Sequence, residues 1–456
     1  MKSALSTSEK VLNSSIVSGF VVDLQFSALP TAAIRMVKRC LLDFLGVAIA
    51  SKGLPAADCG LGLLDTLGQS EEATLIGYKG KVPLLSAVWG NSLLGSVLDM
   101  EDGYYPSVGH PASVVFPVTL SIAEREGADP KEFLTASIIG YEVCARSGAL
   151  MTRTYREKPR GSGGSSVYGA AAAASRLLRL DRKRVELALG IAGCYMTSVP
   201  VLESHKNEAM IKGGIPWGAV VGVASTFLGQ HGFTAPPATL QDPFCSADDE
   251  TAHPILQSLG NKYEILNVYF KRFPSCRWTH AALDAMMAIL EEHNIDSAYI
   301  ESILVETFKE ALALDNYRPS SLEGLQFSIP YTIALLIIEG EFGVRQMSLN
   351  YLRDVVVQEI ADKVTIAVDP VLDRMFPKRR PARVTITTKR GQSFSKEVID
   401  VHGEPGSGFA VDGVRGKFFQ LVSGRIRKRH ANKIYEIVDN LESFPSLESL
   451  TELLRC

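Results

Sequence analysis

A chain of 456 residues with 46% hydrophobic and 21% charged side chains has an ordinary globular balance, which excludes a disordered chain and leaves room for two or three domains at about 150 residues each. Its 47 Lys and Arg against 50 Asp and Glu leave a net charge of −3, so no basic surplus marks it for nucleic acid or an anionic membrane. Seven cysteines without a CxxC pair argue against a disulfide framework, a zinc ribbon or an iron–sulfur cluster and suit reduced thiols in the cytoplasm.

The start, Met1 to Lys10, is polar and leads into no cleavable apolar core. Apolar stretches such as Ile333 to Ile338 stop far short of the roughly 20 residues a membrane span needs. Helical spacing first shows at Thr31 to Ala50, where Ile34, Val37, Leu41, Leu42, Leu45 and Ile49 share a face and Thr31 is the expected N-cap. An apolar segment follows from Val82 to Val97, then a helix opened by Pro130 and expected to end near Gly148. Tyr168 to Leu180 carries five alanines that allow close helix packing; Arg184 to Ala192 and Trp217 to Leu228 complete the first half. After about Tyr263 the pattern changes. Tyr299 to Thr307 reads as a strand, Ser328 to Gly340 as a helix and Val364 to Val368 as a strand; Arg383 to Thr388 and Ser393 to Val398 flank a Lys389-Arg390-Gly391 turn as a hairpin. Helix returns from Gly413. The expected architecture is mainly α with an inserted α+β domain: an all-helical body built from both chain ends, 1–265 and 405–456, and a smaller α+β lid, 266–404. The cleft between them is the default place for a ligand.

Four stretches carry possible chemistry. In Leu98 to Ser113, three acids (Asp99, Glu101, Asp102), two tyrosines and His110 lie in a loop broken by Gly103, Pro106, Gly109 and Pro111. A carboxylate beside an imidazole fixes its tautomer and raises its basicity, which makes His110 a general acid/base supported by Asp99 or Asp102; a solvated acidic loop whose histidine caps the next helix remains open. Lys271-Arg272-Phe273-Pro274 sets two cations before a helix, with His280 behind. This is either an anion grip or a solvated turn. Cys276 reads as a small buried residue rather than a nucleophile. Lys212 stands beside Gly213 and Gly214, either aimed into a cleft or exposed on a turn. Gly161 to Ser166 reads as a flexible loop, or as backbone donors at a helix start. Eight histidines without HxH or HExxH spacing, and acids without calcium-loop spacing, give no metal site. What is left is a metal-free acid/base site with several cations, suited to a small anionic carboxylate.

Three of these stretches together, LDMEDGYYPSVGHPAS, KRFPSC with the trailing His280, and Met210 to Gly218 before a small-residue helix, resemble the MmgE/PrpD family, as does HGEPGS before the final helices. The likeness runs over roughly residues 10 to 450. That family holds 2-methylcitrate dehydratases, cis-aconitate decarboxylases and iminodisuccinate epimerases. The resemblance implies a homodimer and a cofactor-free site between the two domains. It matches Asp99, His110, Lys212 and Lys271 to catalytic positions and places Tyr331 near the substrate. Asp102, Arg160, Arg272 and His280 are further candidates for binding it. Two departures stand out. Arg160 occupies the place of a family histidine, and Glu101-Asp102-Gly103 replaces two aspartates and a hydroxyl residue; exchanging a neutral imidazole for a fixed cation changes the substrate or the proton route. The expected activity is a lyase, a dehydratase or decarboxylase, that removes a proton α to a carboxylate and stabilises the enediolate with Lys271, Arg272 and Lys212. An epimerase using the same proton transfer, or a dimeric protein that binds without catalysis, are the alternatives.

Overall fold

The computed structural model describes residues 7–154, 161–236, 252–407, 409 and 413–455. Arg160 lies outside the described residues. The helix Thr31–Ser51 runs through the centre of the helical body and is buried on every side from Met36 onward, except at Arg39. Helices Leu84–Ser96, Ala112–Glu126 and Pro130–Thr154 pack around it, and so do Gly413–Val422 and Lys428–Asp439 from the far end of the chain. Gly46 permits that last contact: a Cβ there would lie 3.4 Å from the Cα of Phe418. Pro30, not Thr31, is the N-cap, and no side chain bonds the first turn; Pro fixes φ for entry into the helix and Thr31 is already helical. The Pro130 helix continues past Gly148 to Thr154. Gly148 stays helical because Ser107 packs against it, 2.3 Å from where a Cβ would stand.

Gly161 to Ser166 is not a loop. Gly161 is the N-cap of the helix Ser162–Leu177, whose glycines are buried in its first turn. The glycines serve close backbone approach. A Cβ on Gly161 would lie 2.0 Å from the carbonyl of Gly213, and one on Gly163 2.1 Å from that of Gly214. Further along, a Cβ on Gly222 would lie 2.3 Å from that of Ala170. Small residues therefore clamp the helix Ile215–Gln230, and the turn before it, onto Ser162–Leu177.

The described strands form two sheets. Ala73–Thr74 (β1) pairs antiparallel with Lys81–Val82 (β2). Ile300–Thr307 (β3), Val364–Val368 (β4), Ala382–Thr388 (β5) and Ser393–Val398 (β6) form a four-stranded sheet in the order β4-β3-β5-β6. β3 and β4 run parallel, with Val305 opposite Ile366, and their connection is the helical stretch 308–363, as parallel pairing requires. The β5–β6 hairpin turns at Gly391 (φ 77°). Alternate residues Ala382, Val384, Ile386 and Thr388 are buried, and the helix His280–Glu292 packs on β5 and β6. The helix Ile329–Glu339 packs against that helix in turn, starting at the Ser328 N-cap and stopping at left-handed Gly340. Among the described residues no single helix is long and apolar enough to cross a membrane; the bent pair Thr31–Ser51 and Pro55–Thr66 passes on length and composition only.

Gly163→Ala drives a Cβ into backbone that cannot rotate away. It should lower the stability of the chain by about 1–3 kcal/mol. Gly416→Ala, at an exposed helical site with nothing within 4 Å, should raise it by roughly 0.5–1 kcal/mol. Urea midpoints of the two variants check this, and equal midpoints would contradict the packing argument.

Candidate active site

The loop that follows the helix Leu84–Ser96 is buried, so each of its carbonyls needs a donor. Side chains from distant parts of the chain supply them. Gln326 Nε2 donates to Val97 O at 3.0 Å, Lys271 Nζ to Asp99 O at 2.8 Å and Lys417 Nζ to Met100 O at 2.6 Å. Gly103 and Tyr269 exchange backbone hydrogen bonds of 3.0 and 2.8 Å. A Cβ at Gly103 would meet the Tyr269 ring at 2.3 Å, so the ring fills the space that a side chain there would take. Asp99 takes a left-handed conformation (φ 49°), uncommon for a residue with a Cβ. It is fixed there by Lys271, whose Nζ also donates to Asp99 Oδ1 at 2.5 Å.

His110 Nδ1 lies 2.9 Å from the Asp102 carbonyl. A carbonyl only accepts, so Nδ1 carries the proton and Nε2 of the neutral ring has a free lone pair. That nitrogen is 4.0 Å from Asp99 Oδ1. Burial first, and then the Lys271 charge, push the His110 pKa down to about 4, so the ring is neutral at pH 7. Three acids of one loop titrate differently because their partners differ. Burial would raise Asp99, but Lys271, His110 and Lys212 outweigh it and hold the carboxyl below its usual range. Burial pushes Glu101 up to about 8 against the opposing pull of Lys271. Its Oε1 is 3.9 Å from His110 Nδ1, and its Oε2 has no partner among the described residues. Burial pushes Asp102 up to about 7. It accepts from Tyr141 Oη at 2.8 Å and from Ala112 N at 3.1 Å, which ties the loop to the start of the next helix. Beneath the loop, Lys417 and Asp43 form a buried ion pair of 2.7 Å.

Lys212 is buried, not exposed on its turn. It has a positive φ (46°) in the short turn Lys212–Gly214 that the glycine contacts clamp. Its Nζ donates to Gln326 Oε1 and lies 3.8 Å from Glu323 Oε1. Burial lowers its pKa. Gln326 thus joins Lys212 to the carbonyl of Val97. His205 stacks on Phe327, ring centroids 3.6 Å apart. Burial pushes it down to about 4, with Asp99, Lys212 and Lys271 as the charges it feels. His205, Glu323 and Gln326 carry no motif spacing in the sequence, and only the tertiary structure brings them here; Glu101 lies in the motif loop, but its role as an acid shows only in its burial.

The structure brings Asp99, His110, Lys212 and Lys271 into one cluster. Asp102 sits behind it as a helix anchor. Arg272 does not join: in an extended segment neighbouring side chains point to opposite sides. Lys271 goes inward, whereas Arg272 is 39% exposed with Nη1 3.8 Å from Asp284. It lines a separate pocket with His402, Phe409 and Lys417. His280 is a core residue. It is fully buried, its Nε2 donates to Ser275 O at 3.3 Å and its Nδ1 accepts from Arg277 at 3.5 Å. Tyr331 is also turned away, buried in the α+β region with its hydroxyl donating to Tyr351 O at 2.8 Å. Burial pushes the Cys276 thiol up to about 12, so it is not a thiolate nucleophile.

Asp99, Glu101 and His110 hold ligand atoms within 4.8 Å of one another, close enough for a metal ion. The Lys271 ammonium, however, already occupies the cation position on Asp99 Oδ1. The resulting site combines a charged carboxylate, a neutral imidazole with a free nitrogen, a glutamic acid that keeps its proton and two buried lysines. Such a set can move a proton next to an anionic oxygen and stabilise the charge that develops there.

Two family models cover most of the chain: the MmgE/PrpD N-terminal domain over residues 16–248 and the MmgE/PrpD C-terminal domain over residues 273–443. The chain is also 24% identical to cis-aconitate decarboxylase of Mus musculus over 459 residues, covering 96% of this chain and 92% of that protein. On the strength of the two domain matches, the chain belongs to the MmgE/PrpD family.

Proposed function

We propose that the protein is a metal-independent lyase, a dehydratase or decarboxylase, acting on a small di- or tricarboxylic or hydroxy acid. The observation that carries this reading is the unprotonated Nε2 of His110, held between the Asp99 carboxylate and the loop with the Lys271 and Lys212 side chains beside it. The similarity to a protein named as a decarboxylase of a carboxylic acid supports it.

For dehydration, His110 Nε2 takes the proton α to a substrate carboxylate. The electron pair of the broken C–H bond moves into that carboxylate as an enediolate, which the Lys271 and Lys212 ammonium groups stabilise. Asp99 stabilises the imidazolium that forms. Collapse of the enediolate expels the β-hydroxyl, which takes the Glu101 proton and leaves as water. For decarboxylation, the C–C bond to the departing carboxylate breaks, carbon dioxide leaves, the electron pair stays on carbon, and that carbon takes the Glu101 proton to complete the product. In both cases Glu101 is an acid because its environment keeps the proton on at neutral pH. The protein acts as a homodimer on this reading; Tyr195, Met210, Ile211 and Trp217, each 42–55% exposed, offer apolar surface for the second copy.

Proton NMR in heavy water, with the chelator-treated protein and a panel of citrate, 2-methylcitrate, cis-aconitate, iminodisuccinate and related hydroxy acids, tests the class. A new alkene signal or loss of carbon dioxide is expected; deuterium uptake at carbon without elimination would mean an epimerase, and silence would sink the lyase. On the acid that reacts, His110→Asn should lower kcat by about 10²–10⁴-fold with the fold intact by circular dichroism. The pH–rate profile should rise as His110 loses its proton near 4 and fall as Glu101 loses its own near 8. Glu101→Gln should remove the alkaline limb; a limb that stays in place would assign the acid elsewhere.

A further inference from the structure

Three arginines are buried among the described residues. Arg146 pairs with Glu142, and Arg277 pairs with Glu404 at 2.9 Å. Arg380 is 5% exposed and has no carboxylate within ion-pair distance among the described residues. Its Nη1 donates to Pro377 O at 2.9 Å. Its guanidinium lies over the Tyr105 ring, 3.8 Å from the centroid, and 5.7 Å from that of Phe376. The nearby carboxylate, Glu404, accepts from both Arg277 and Tyr105. Glu404 thus pairs with Arg277 alone, and Arg380 feels its charge only at longer range. A guanidinium carries five N–H donors and keeps its charge in proteins, and a buried charge without a partner is costly.

Arg380 lines a cleft of about 1460 Å³, together with Tyr105, Ser165, Trp278, Phe376 and Glu404. Its lining stops short of Asp99, His110, Lys212 and Lys271 themselves. Its wall at Tyr105 to Val108 is the hairpin that leads into His110, and Gly161 and Ser165 belong to the helix start clamped on the Lys212 turn. Cys276 lies within electrostatic reach of both Arg380 and Asp99.

We propose that Arg380 is a carboxylate-binding residue of this cleft, which grips one carboxylate of a polycarboxylic acid bidentately while the rest of the molecule extends toward His110 and Lys271. This rests on the reading of the protein as acting on such acids. A planar fork stacked on an aromatic face is pre-organised for two parallel N–H···O bonds, and the ligand supplies the negative charge that the protein leaves out. Arg380 then sets specificity for a second carboxylate and takes no part in the proton transfer.

Tricarballylate, a tricarboxylate with no hydroxyl to lose, is the probe, followed by the fluorescence of Trp278 in the same cleft, with Trp278→Phe to assign the signal. Arg380→Gln should raise its dissociation constant at least tenfold. Arg380→Lys should fall between, because the charge stays and the fork is lost. Without ligand, Arg380→Gln should melt no lower than the unchanged protein, since an unpaired buried charge is removed; with tricarballylate, only the unchanged protein should gain melting temperature. Equal affinity in Arg380→Gln, or equal thermal gain in both, would overturn the inference, and so would sulfate binding as tightly as the tricarboxylate. Turnover of an acid with KM unchanged in Arg380→Gln defeats this inference alone. Binding through Arg380 with no acid turned over defeats the lyase reading alone.

Discussion

The contact on which the site depends is the hold of Lys271 on Asp99, made twice, once on the carboxylate and once on the backbone carbonyl. Lys271 is 1% exposed, and a buried ammonium is tolerable only where its donors are used and its charge is met. Asp99 in turn adopts a backbone conformation that costs of order 1 kcal/mol or more for a residue with a Cβ. Each residue therefore makes the other possible. Removing either would strand an opposite charge in the interior, which costs about 3–5 kcal/mol. The pair joins the extended segment before Pro274 to the loop after the Leu84–Ser96 helix, so the two halves of the chain meet at the residues proposed to do chemistry.

The rest of the loop repeats the principle with other donors. Lys417 reaches Met100 from the C-terminal helices, and Gln326 reaches Val97 from the sheet-bearing region while accepting from Lys212. A loop whose carbonyls are bonded from three directions has one conformation, and its side chains inherit fixed surroundings. That is why Asp99, Glu101 and Asp102, at most three positions apart, behave as three different acids. Asp99 faces cations and stays charged. Asp102 meets only neutral donors, and Glu101 keeps one oxygen without any. Their pKa values part because burial is common to all three while the compensation is not.

Much of this frame is visible in the sequence, because hydrophobic period and turn chemistry are local. The β5–β6 hairpin follows from alternating residues around Lys389-Arg390-Gly391, and the Ile329–Glu339 helix from the Ser328 cap and Gly340. The loop acids, His110 and the two lysines stand out because charged residues beside Gly and Pro are unusual neighbours. What the sequence hides is partnership. Gly161 to Ser166 has the composition of a linker, and only the approach of Gly213 and Gly214 shows why it has no side chains. Lys271 and Arg272 are adjacent, yet the extended backbone sends them to opposite sides. His280 sits close to the KRFPSC stretch but is absorbed by Ser275 and Arg277. Glu323, in an ordinary short helix, gains its importance from Lys212, and Gln326 from Lys212 and the Val97 carbonyl together.

The same accounting of partners separates residues that build the site from those able to act in it. Lys417 and Gln326 bond to the loop, and Asp102 bonds to Tyr141 and the start of the next helix, so they hold geometry rather than meet a substrate. His110 keeps Nε2 uncommitted, Glu101 keeps Oε2, and Arg380 keeps most of its donors without a described partner. Chemistry can only pass through such free atoms, since a group already bonded must first give up a contact that the fold needs. Differences in reaction among proteins with this scaffold should therefore fall on the free groups. Gly103 belongs to the frame instead, because the Tyr269 ring fills the space that a side chain there would take. A side chain there would have to displace the Tyr269 ring, which belongs to the residue whose backbone pairs with Gly103 and closes the loop. The close approach at Gly103 therefore sets the rigidity of the loop and, through it, the placement of Glu101 and His110 on either side.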